Sequence, residues 1–378
     1  MKSDKTTPNV PTLRFAEFTD EWGKYELSHF VTRITRRNKN NESSLPLTIS
    51  AQYGLVDQIS FFNKTVASVD LSGYYLLYNG DFAYNKSYSN DYAWGAVKRL
   101  DKYEKGCLSS LYFVFRPNDN VDSDYLTHYF ESSKWHKGIS NIAGEGARNH
   151  GLLNMAVDDY FATKHYLPSL HEQKKIARFF NAITRRIEIQ NKIISKYETL
   201  IKGLCDMIFR HNKSVSLSDL VKCKTSALQE NMVSTCHRGE YKVLGASGAI
   251  AAIDTYQFEE SGILVLKDGS KAGKIQFAQG KYSVVGTSVV LIPNEACDAR
   301  YLYFAMSSID FEKYKVGSGI PHIYFKDYSN ERIYYPEKAL RKKIIKTLDF
   351  YETRVEIERE MLSAMQKQKA FLLQSMFI

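Results

Sequence analysis

Three stretches of this chain carry residue types that could do chemistry. Gly269, Ser270, Lys271, Ala272, Gly273 and Lys274 come near the loop G-x-x-x-x-G-K-[ST], whose backbone amides cradle a phosphate while a hydroxyl holds magnesium. Here the glycines stand one residue too close and Ile275 replaces the hydroxyl, so the stretch reads as a basic hairpin turn. His171 and Glu172 open like the helix of a zinc protease, but Lys175 fills the place of the second histidine and removes that chemistry. Cys107, Cys205, Cys223, Cys236 and Cys297 include no CxxC pair, which reads as free thiols in a reducing compartment and not as a zinc site or a disulfide framework. None of the eight prolines is followed by another, so the (N/D)-P-P-(Y/F) motif of adenine methyl transfer is missing. No glycine turn between a strand and a helix offers an adenosylmethionine site. A diffuse carboxylate site of the nuclease kind stays open, but no catalytic, cofactor or metal residue is assigned.

What remains is a chemistry of contact. Lys plus Arg number 51 against 42 Asp plus Glu, a net charge of +9, which favours a polyanionic partner. Tyrosines, 26 in all, cluster among Asn, Ser and Lys, most densely from Tyr84 to Ser89. Such runs position phosphates and base edges, although half-buried tyrosines serve cores equally well. There is no signal peptide and no apolar run long enough to span a bilayer, so a cytoplasmic location with no membrane contact is expected.

The elements that must position these residues announce themselves by repetition. The segment Pro168 to Phe209 recurs from Pro336 to Phe377 at a constant offset of 168 residues, without insertion or deletion. Ile176, Phe180, Ile183, Ile187, Ile194, Tyr197, Ile201, Leu204 and Ile208 keep a 4-3-4-3 spacing. Ile344, Leu348, Tyr351, Val355, Leu362, Met365, Leu372 and Met376 repeat it, broken at Glu358 and Lys369. Each copy is a heptad seam on a helix of about 60 Å, whose natural partner is the other copy. The sequence before each helix also repeats, but with drifting offsets that make the second stretch 22 residues shorter. A heptad seam cannot absorb an indel without rotating its contact face, whereas loops absorb them at little cost. The helices are scaffold and the globular parts are free to vary. Strands are expected over residues 108–115 and 284–292, turns at Asn79, Gly80 and Asp81 and at Asp268, Gly269 and Ser270, and short helices starting near Asp122 and Asp298.

The expected fold is α+β, with two tandem α+β domains separated by two long antiparallel coiled-coil helices in a pseudo-twofold repeat. Its segments are 1–167, a first globular domain; 168–212, the central helix; 213–335, a second globular domain; and 336–378, the C-terminal helix.

Over its whole length the chain resembles the specificity subunit of type I restriction–modification enzymes. The resemblance is carried by the entry Pro11, Leu13, Arg14, Phe15, Phe18 and Trp22, followed by Leu27. It continues in the proline-to-helix junction Pro168, Leu170, Glu172, Gln173, Lys174, Lys175, Ile176 and Ala177, and in the helix close Lys202, Gly203, Leu204, Ile208 and Phe209. The second junction departs from this pattern, with Leu340 and Arg341 where the first has Glu172 and Gln173. The resemblance implies a non-catalytic subunit whose two target-recognition domains each read half of a split, asymmetric double-stranded DNA site. It implies assembly with two methyltransferase subunits and with translocating endonuclease subunits. S-adenosylmethionine, ATP and Mg would belong to those partners, with no cofactor in this chain. The alternative is a stand-alone coiled-coil protein that binds nucleic acid and recruits no methyltransferase.

Reading DNA takes Arg or Lys toward guanine, Asn or Gln toward adenine, and further basic or hydroxyl groups on phosphates. The candidates are Asn85, Lys86, Lys98, Arg99, Arg148, Asn149 and His150 in the first domain, and Lys267, Ser270, Lys271, Lys274 and His322 in the second. Arg148 and His322 follow glycine turns, at Gly144 and Gly146 and at Gly317 and Gly319, in corresponding places. Gln190 and Glu358 share one heptad position near the middle of their helices. Antiparallel pairing brings them together and fixes register, unless both face solvent or a partner.

Overall fold

The computed structural model describes residues 9–378 apart from 65–66, 69, 89–91, 144–150, 212–213, 234–237, 296–297 and 318. The chain forms two compact units, one running to Ile189 and completed by Leu362–Ile378, the other spanning Gln190–Met361. These units do not follow the four consecutive segments read from the sequence. Each gathers one globular domain and one end of both long helices.

The first unit contains strands β1 (Gly23–Glu26), β2 (Val31–Arg33), β3 (Leu47–Ser50), β4 (Gly54–Asp57), β5 (Tyr75–Tyr78), β6 (Phe82–Asn85), β7 (Ala96–Arg99), β8 (Lys105–Leu108), β9 (Phe113–Pro117) and β10 (Lys164–Leu167). Its main sheet has the order β2-β9-β6-β7, and β1 pairs with β10 antiparallel. The short helix Ser123–Glu131 starts where Asp122 accepts a hydrogen bond from the Tyr125 amide at 2.9 Å, an ordinary N-cap. Aromatic side chains fill the core, with Phe82 stacked on Phe115 and Tyr84 on Tyr160. Ile176 and Phe180 of the central helix (Leu170–Phe209) join that core, as do Leu373, Met376 and Phe377 at the close of the C-terminal helix (Lys338–Ser375).

The second unit contains β11 (Val215–Ser216), β12 (Val221–Thr225), β13 (Tyr241–Gly245), β14 (Gly248–Ile253), β15 (Gly262–Leu266), β16 (Ile275–Ala278), β17 (Tyr282–Val284), β18 (Ser288–Pro293) and β19 (Arg332–Ile333). Its main sheet has the order β12-β18-β15-β16, the topology of the first unit over again, and β11 pairs with β19 as β1 does with β10. Register makes the correspondence residue by residue. Val31 lies opposite Pro117 and Val221 opposite Pro293, while Phe82 lies opposite Phe115 and Ile263 opposite Leu291. Cys205, Phe209, Ile344 and Leu348 of the long helices sit in this unit's core with Tyr301, Leu302 and Tyr328.

Two expected strands are each divided. Residues 108–115 contain a turn in which the Tyr112 amide reaches the Ser109 carbonyl, and residues 284–292 are interrupted between β17 and β18 at Val285, Gly286 and Thr287. The seam residues Ile176, Phe180, Ile194, Ile344, Leu348 and Val355 are buried. So are Cys205 and Phe209, with their repeat counterparts Leu373 and Phe377, whereas Leu204 and Ile208 are only half-buried. At its close each helix buries a second stripe against a globular core, which widens the narrow coiled-coil seam.

Candidate nucleic-acid interface

In the second unit the structure brings the predicted basic turn and His322 together. The chain leaves β15 through Lys267 and Asp268, turns at Gly269, whose φ is +94°, and returns at Lys274. The Gly269 amide donates to the Pro321 carbonyl, and the Ile323 amide to the Lys267 carbonyl, both at 2.9 Å. Asp268 and His322 form an isolated antiparallel bridge, and His322 forms a second one with Val316 through two backbone hydrogen bonds of 2.8 and 2.9 Å. The His322 Nδ1 lies 2.8 Å from Asp268 Oδ1. Ser270, Lys271 and Lys274 are exposed beside it, with Ile320 64%, Tyr324 50% and Val316 49% exposed on the adjoining loop. A notch of about 540 Å³ under the turn is lined by Lys271, Lys274 and Lys315, with Asp310 and Glu312 among its other walls.

The first unit repeats the backbone of this arrangement with different side chains. Asn85 ends β6 and its Oδ1 accepts from the Ser87 amide at 2.9 Å, while the Lys86 ammonium sits 4.8 Å over the Phe113 ring. The Leu153 amide donates to the Lys86 carbonyl at 3.0 Å, and Ser87 bridges to Leu152. By strand register Lys86 corresponds to Lys267 and Ser87 to Asp268, so the counterpart of His322 is Leu152 and not Arg148. Arg148, Asn149 and His150 lie outside the described residues.

Lys98 and Arg99 have intramolecular partners. Burial lowers the Lys98 pKa, with Glu131 opposing and Lys369 reinforcing that shift. The Arg99 guanidinium binds Asp101, Asp124 and the Ser123 hydroxyl. Arg99 thus belongs to the packing between the sheet and the short helix. Near them Glu131 meets Lys369 at 2.9 Å and His128 at 3.2 Å, and although burial opposes it these partners hold its carboxyl down at about 2. Lys369, one of the two breaks in the heptad seam, thus reaches the short helix of the first domain.

Within the second unit Gln190 and Glu358 meet. Gln190 Nε2 donates to Glu358 Oε2 at 2.5 Å and to the Glu358 carbonyl at 3.0 Å, and Arg354 takes the other carboxylate oxygen at 2.8 Å. Both side chains are buried. The rings of Tyr197 and Tyr351 lie 6.4 Å apart further along, so within this unit the helix segments run antiparallel.

Sequence reasoning missed two sets of polar residues at the helix junctions. Arg14 clamps Glu172 through Nε at 2.7 Å and Nη2 at 2.8 Å. Gln173 Oε1 accepts from the Asp122 amide at 2.8 Å, and its Nε2 donates to the Pro168 carbonyl at 3.0 Å. At the corresponding place in the second unit Arg341 pairs with the Asp298 carboxylate at 2.9 and 3.1 Å and donates to the Pro336 carbonyl at 2.7 Å. The signal lay in the repeat, because Gln173 and Arg341 stand 168 residues apart, at the same place in the two junctions. Among the described residues no group of His, Cys, Asp and Glu side chains could hold a metal ion, and no helix is long and apolar enough to cross a membrane.

Residues 210–366 match the family model of the type I restriction modification DNA specificity domain. The chain is 27% identical over 122 residues to the type I restriction enzyme MjaVIII specificity subunit of Methanocaldococcus jannaschii, a match that spans 31% of this chain and 28% of that protein. Its fold is similar to the type-I restriction-modification S subunit from M. genitalium, at a TM-score of 0.59 and 16% identity, covering 98% of this chain and 99% of that one. It is also similar to a chain from a study of complex assembly and conformational transition in a type I R-M system, at a TM-score of 0.54 and 16% identity, covering 93% and 96%.

Proposed function

We infer that this chain, which resembles the type I restriction–modification specificity subunits in its second domain and shares their fold over its length, is the DNA-addressing subunit of such a complex. Each globular domain reads one half of a split, asymmetric site, and the long helices set the spacer and dock adenine methyltransferase subunits. The chain performs no catalysis. S-adenosylmethionine, ATP and Mg are held by methyltransferase and endonuclease partners, and the complex works in the cytoplasm.

The observation that carries this reading is the pairing of constant scaffold with variable edge. Two sheets of identical strand order stand on helices that repeat without an indel. The connections from Lys86 and from Lys267 share a backbone bridge, yet carry Ser87 and Leu152 in one unit and Asp268 and His322 in the other. One scaffold that presents two different edges suits two different half-sites. A helix of 40 residues is about 60 Å long, enough to match one to two turns of duplex. Exposed apolar residues on the central helix, Ile189, Leu200 and Met207, and on the C-terminal helix, Phe350, Ile357, Met361 and Phe371, are the surface on which partner subunits would pack.

Copurification tests the reading. The tagged chain should bring down a methyltransferase, and cells that carry both should show N6-methyladenine at one split motif that disappears when this chain is deleted. A chain that binds nucleic acid without a partner and leaves the methylome unchanged would establish the stand-alone coiled-coil alternative instead.

A further inference from the structure

The polar side chains of the second unit's edge fall into two mechanical classes. Lys271 and Lys274 are exposed on a turn, and Lys274 is tied only loosely, through Nζ, to the Ala246 carbonyl at 3.3 Å. Long flexible ammonium groups find phosphates at many positions and carry little sequence information. The His322 imidazole is held from several sides. Its backbone is bridged to Val316 on one side and Asp268 on the other, and Nδ1 is fastened to Asp268 Oδ1. A Cβ added at Gly317, whose φ is +96°, would lie 3.6 Å from His322 Cδ2, so the loop leaves little room beside that edge of the ring. The side chain nevertheless remains 38% exposed. A polar ring fixed to this degree, with one edge open amid mobile cations, is built for direction and not for charge alone.

Comparison of the two units points the same way. Lys86 and Lys267 hold the same place and keep the same charge, as phosphate contacts common to both half-sites would. The adjoining bridge differs, Ser87 with Leu152 against Asp268 with His322, as contacts to different bases would. Resting on the DNA-addressing function above, we propose that His322 is a specificity-determining residue that reads a base edge in the second unit's half-site. Asp268 is its positioning residue, and Lys267, Lys271 and Lys274 bind the flanking phosphates.

Selected-site binding with the full chain and its native partners tests this division of roles. His322→Gln should change the preferred base at one position of one half-site, with discrimination there falling on the order of tenfold, the scale of one mismatched pair. Asp268→Asn should relax the same position by a smaller factor, and the other half-site should stay intact in both variants, which shows that the complex is folded and assembled. Lys271→Ala combined with Lys274→Ala should keep the whole consensus, weaken binding to all sequences alike and reduce the salt dependence by about two phosphate contacts. The proposal is overturned if His322→Gln and Asp268→Asn keep the wild-type consensus, or if they degrade both half-sites equally. A wild-type complex that selects no split site would overturn the functional reading itself.

Discussion

At three corresponding places the two units join sheet, short helix and long helix with opposite chemistry. In the first unit Arg99 on β7 binds Asp124 of the short helix, and Asn181 of the central helix donates to that same carboxylate at 2.8 Å. In the second unit Phe277 on β16, Arg300 of the short helix and Asp349 of the C-terminal helix stand in their stead. The Arg300 guanidinium lies 4.8 Å from the Phe277 ring and pairs with Asp349 and Glu352. The short helix supplies the anion in one unit and the cation in the other. What is held constant is the joint, not the residue that makes it. Once duplicated, each domain could change its own sheet-to-helix tether provided both sides of the tether changed together.

The largest test of this contrast lies at the helix junctions, where a neutral amide in one unit answers to an ion pair in the other. Arg341→Ala leaves the buried Asp298 carboxylate its Tyr335 hydroxyl donor but removes its cation, and should cost about 3 kcal/mol in the second unit. Gln173→Ala leaves one amide and one carbonyl unpaired and should cost the first unit about 1–3 kcal/mol. Denaturant unfolding followed by hydrogen exchange separates the units, and equal costs would mean that the ionic character of the second junction contributes nothing.

Acid separates the units next. His165 is buried between the Tyr129 hydroxyl at 2.7 Å and the Thr163 hydroxyl at 2.8 Å, and burial pushes its pKa down to about 4. The folded pKa lies below the unfolded one, so the contribution is fully present above about pH 6.5 and is lost as pH falls toward 4, on the order of 3 kcal/mol. Trp22, Trp94 and Trp135 all belong to the first unit, so tryptophan fluorescence reports that unit alone. Its unfolding midpoint should fall steeply over this range, and His165→Gln should flatten the slope. An unchanged slope in the variant would place the acid sensitivity elsewhere.

A charge swap probes the tethers directly. Arg300→Asp should destabilise the second unit by about 1–2 kcal/mol, a value discounted because the pair is partly exposed, and adding Asp349→Arg should recover part of the loss. Additive losses in the double variant would show that the joint is not interchangeable in sign. The smallest expected effect is at Gln190 and Glu358. Replacing both with leucine should raise stability by about 1 kcal/mol while broadening the distances between spin labels on the paired helix segments, since a buried polar pair gives register at a cost in stability. A loss of stability with unchanged label distances would refute a register role.

The long helices and the Gln190–Glu358 pair were legible because a heptad position dictates what faces the partner helix. The second basic turn was legible as a turn because Gly269 and Gly273 require positive φ, which they adopt. Asp268 is legible as a turn residue but not as the partner of His322, which is 54 residues away, since a side-chain bridge of that span leaves no periodic trace. Arg99 reads as a DNA contact in the sequence, but Ser123 and Asp124 of the short helix engage its guanidinium. An alternating pattern cannot distinguish a polar face open to water from one closed by charged partners.

One feature of the first unit bears on the order of synthesis. Its core includes Leu373, Met376 and Phe377, with Phe377 ringed by Tyr125, Tyr129 and Phe180, while the second unit is the continuous stretch Gln190–Met361. Domains emerging from the ribosome ordinarily complete themselves from the N-terminus onward. Here the unit begun first must wait for residues 362–378 and is finished last. A chain cut off after residue 361 therefore carries a complete second domain tethered to a first whose aromatic core lies open, and is marked for chaperone capture.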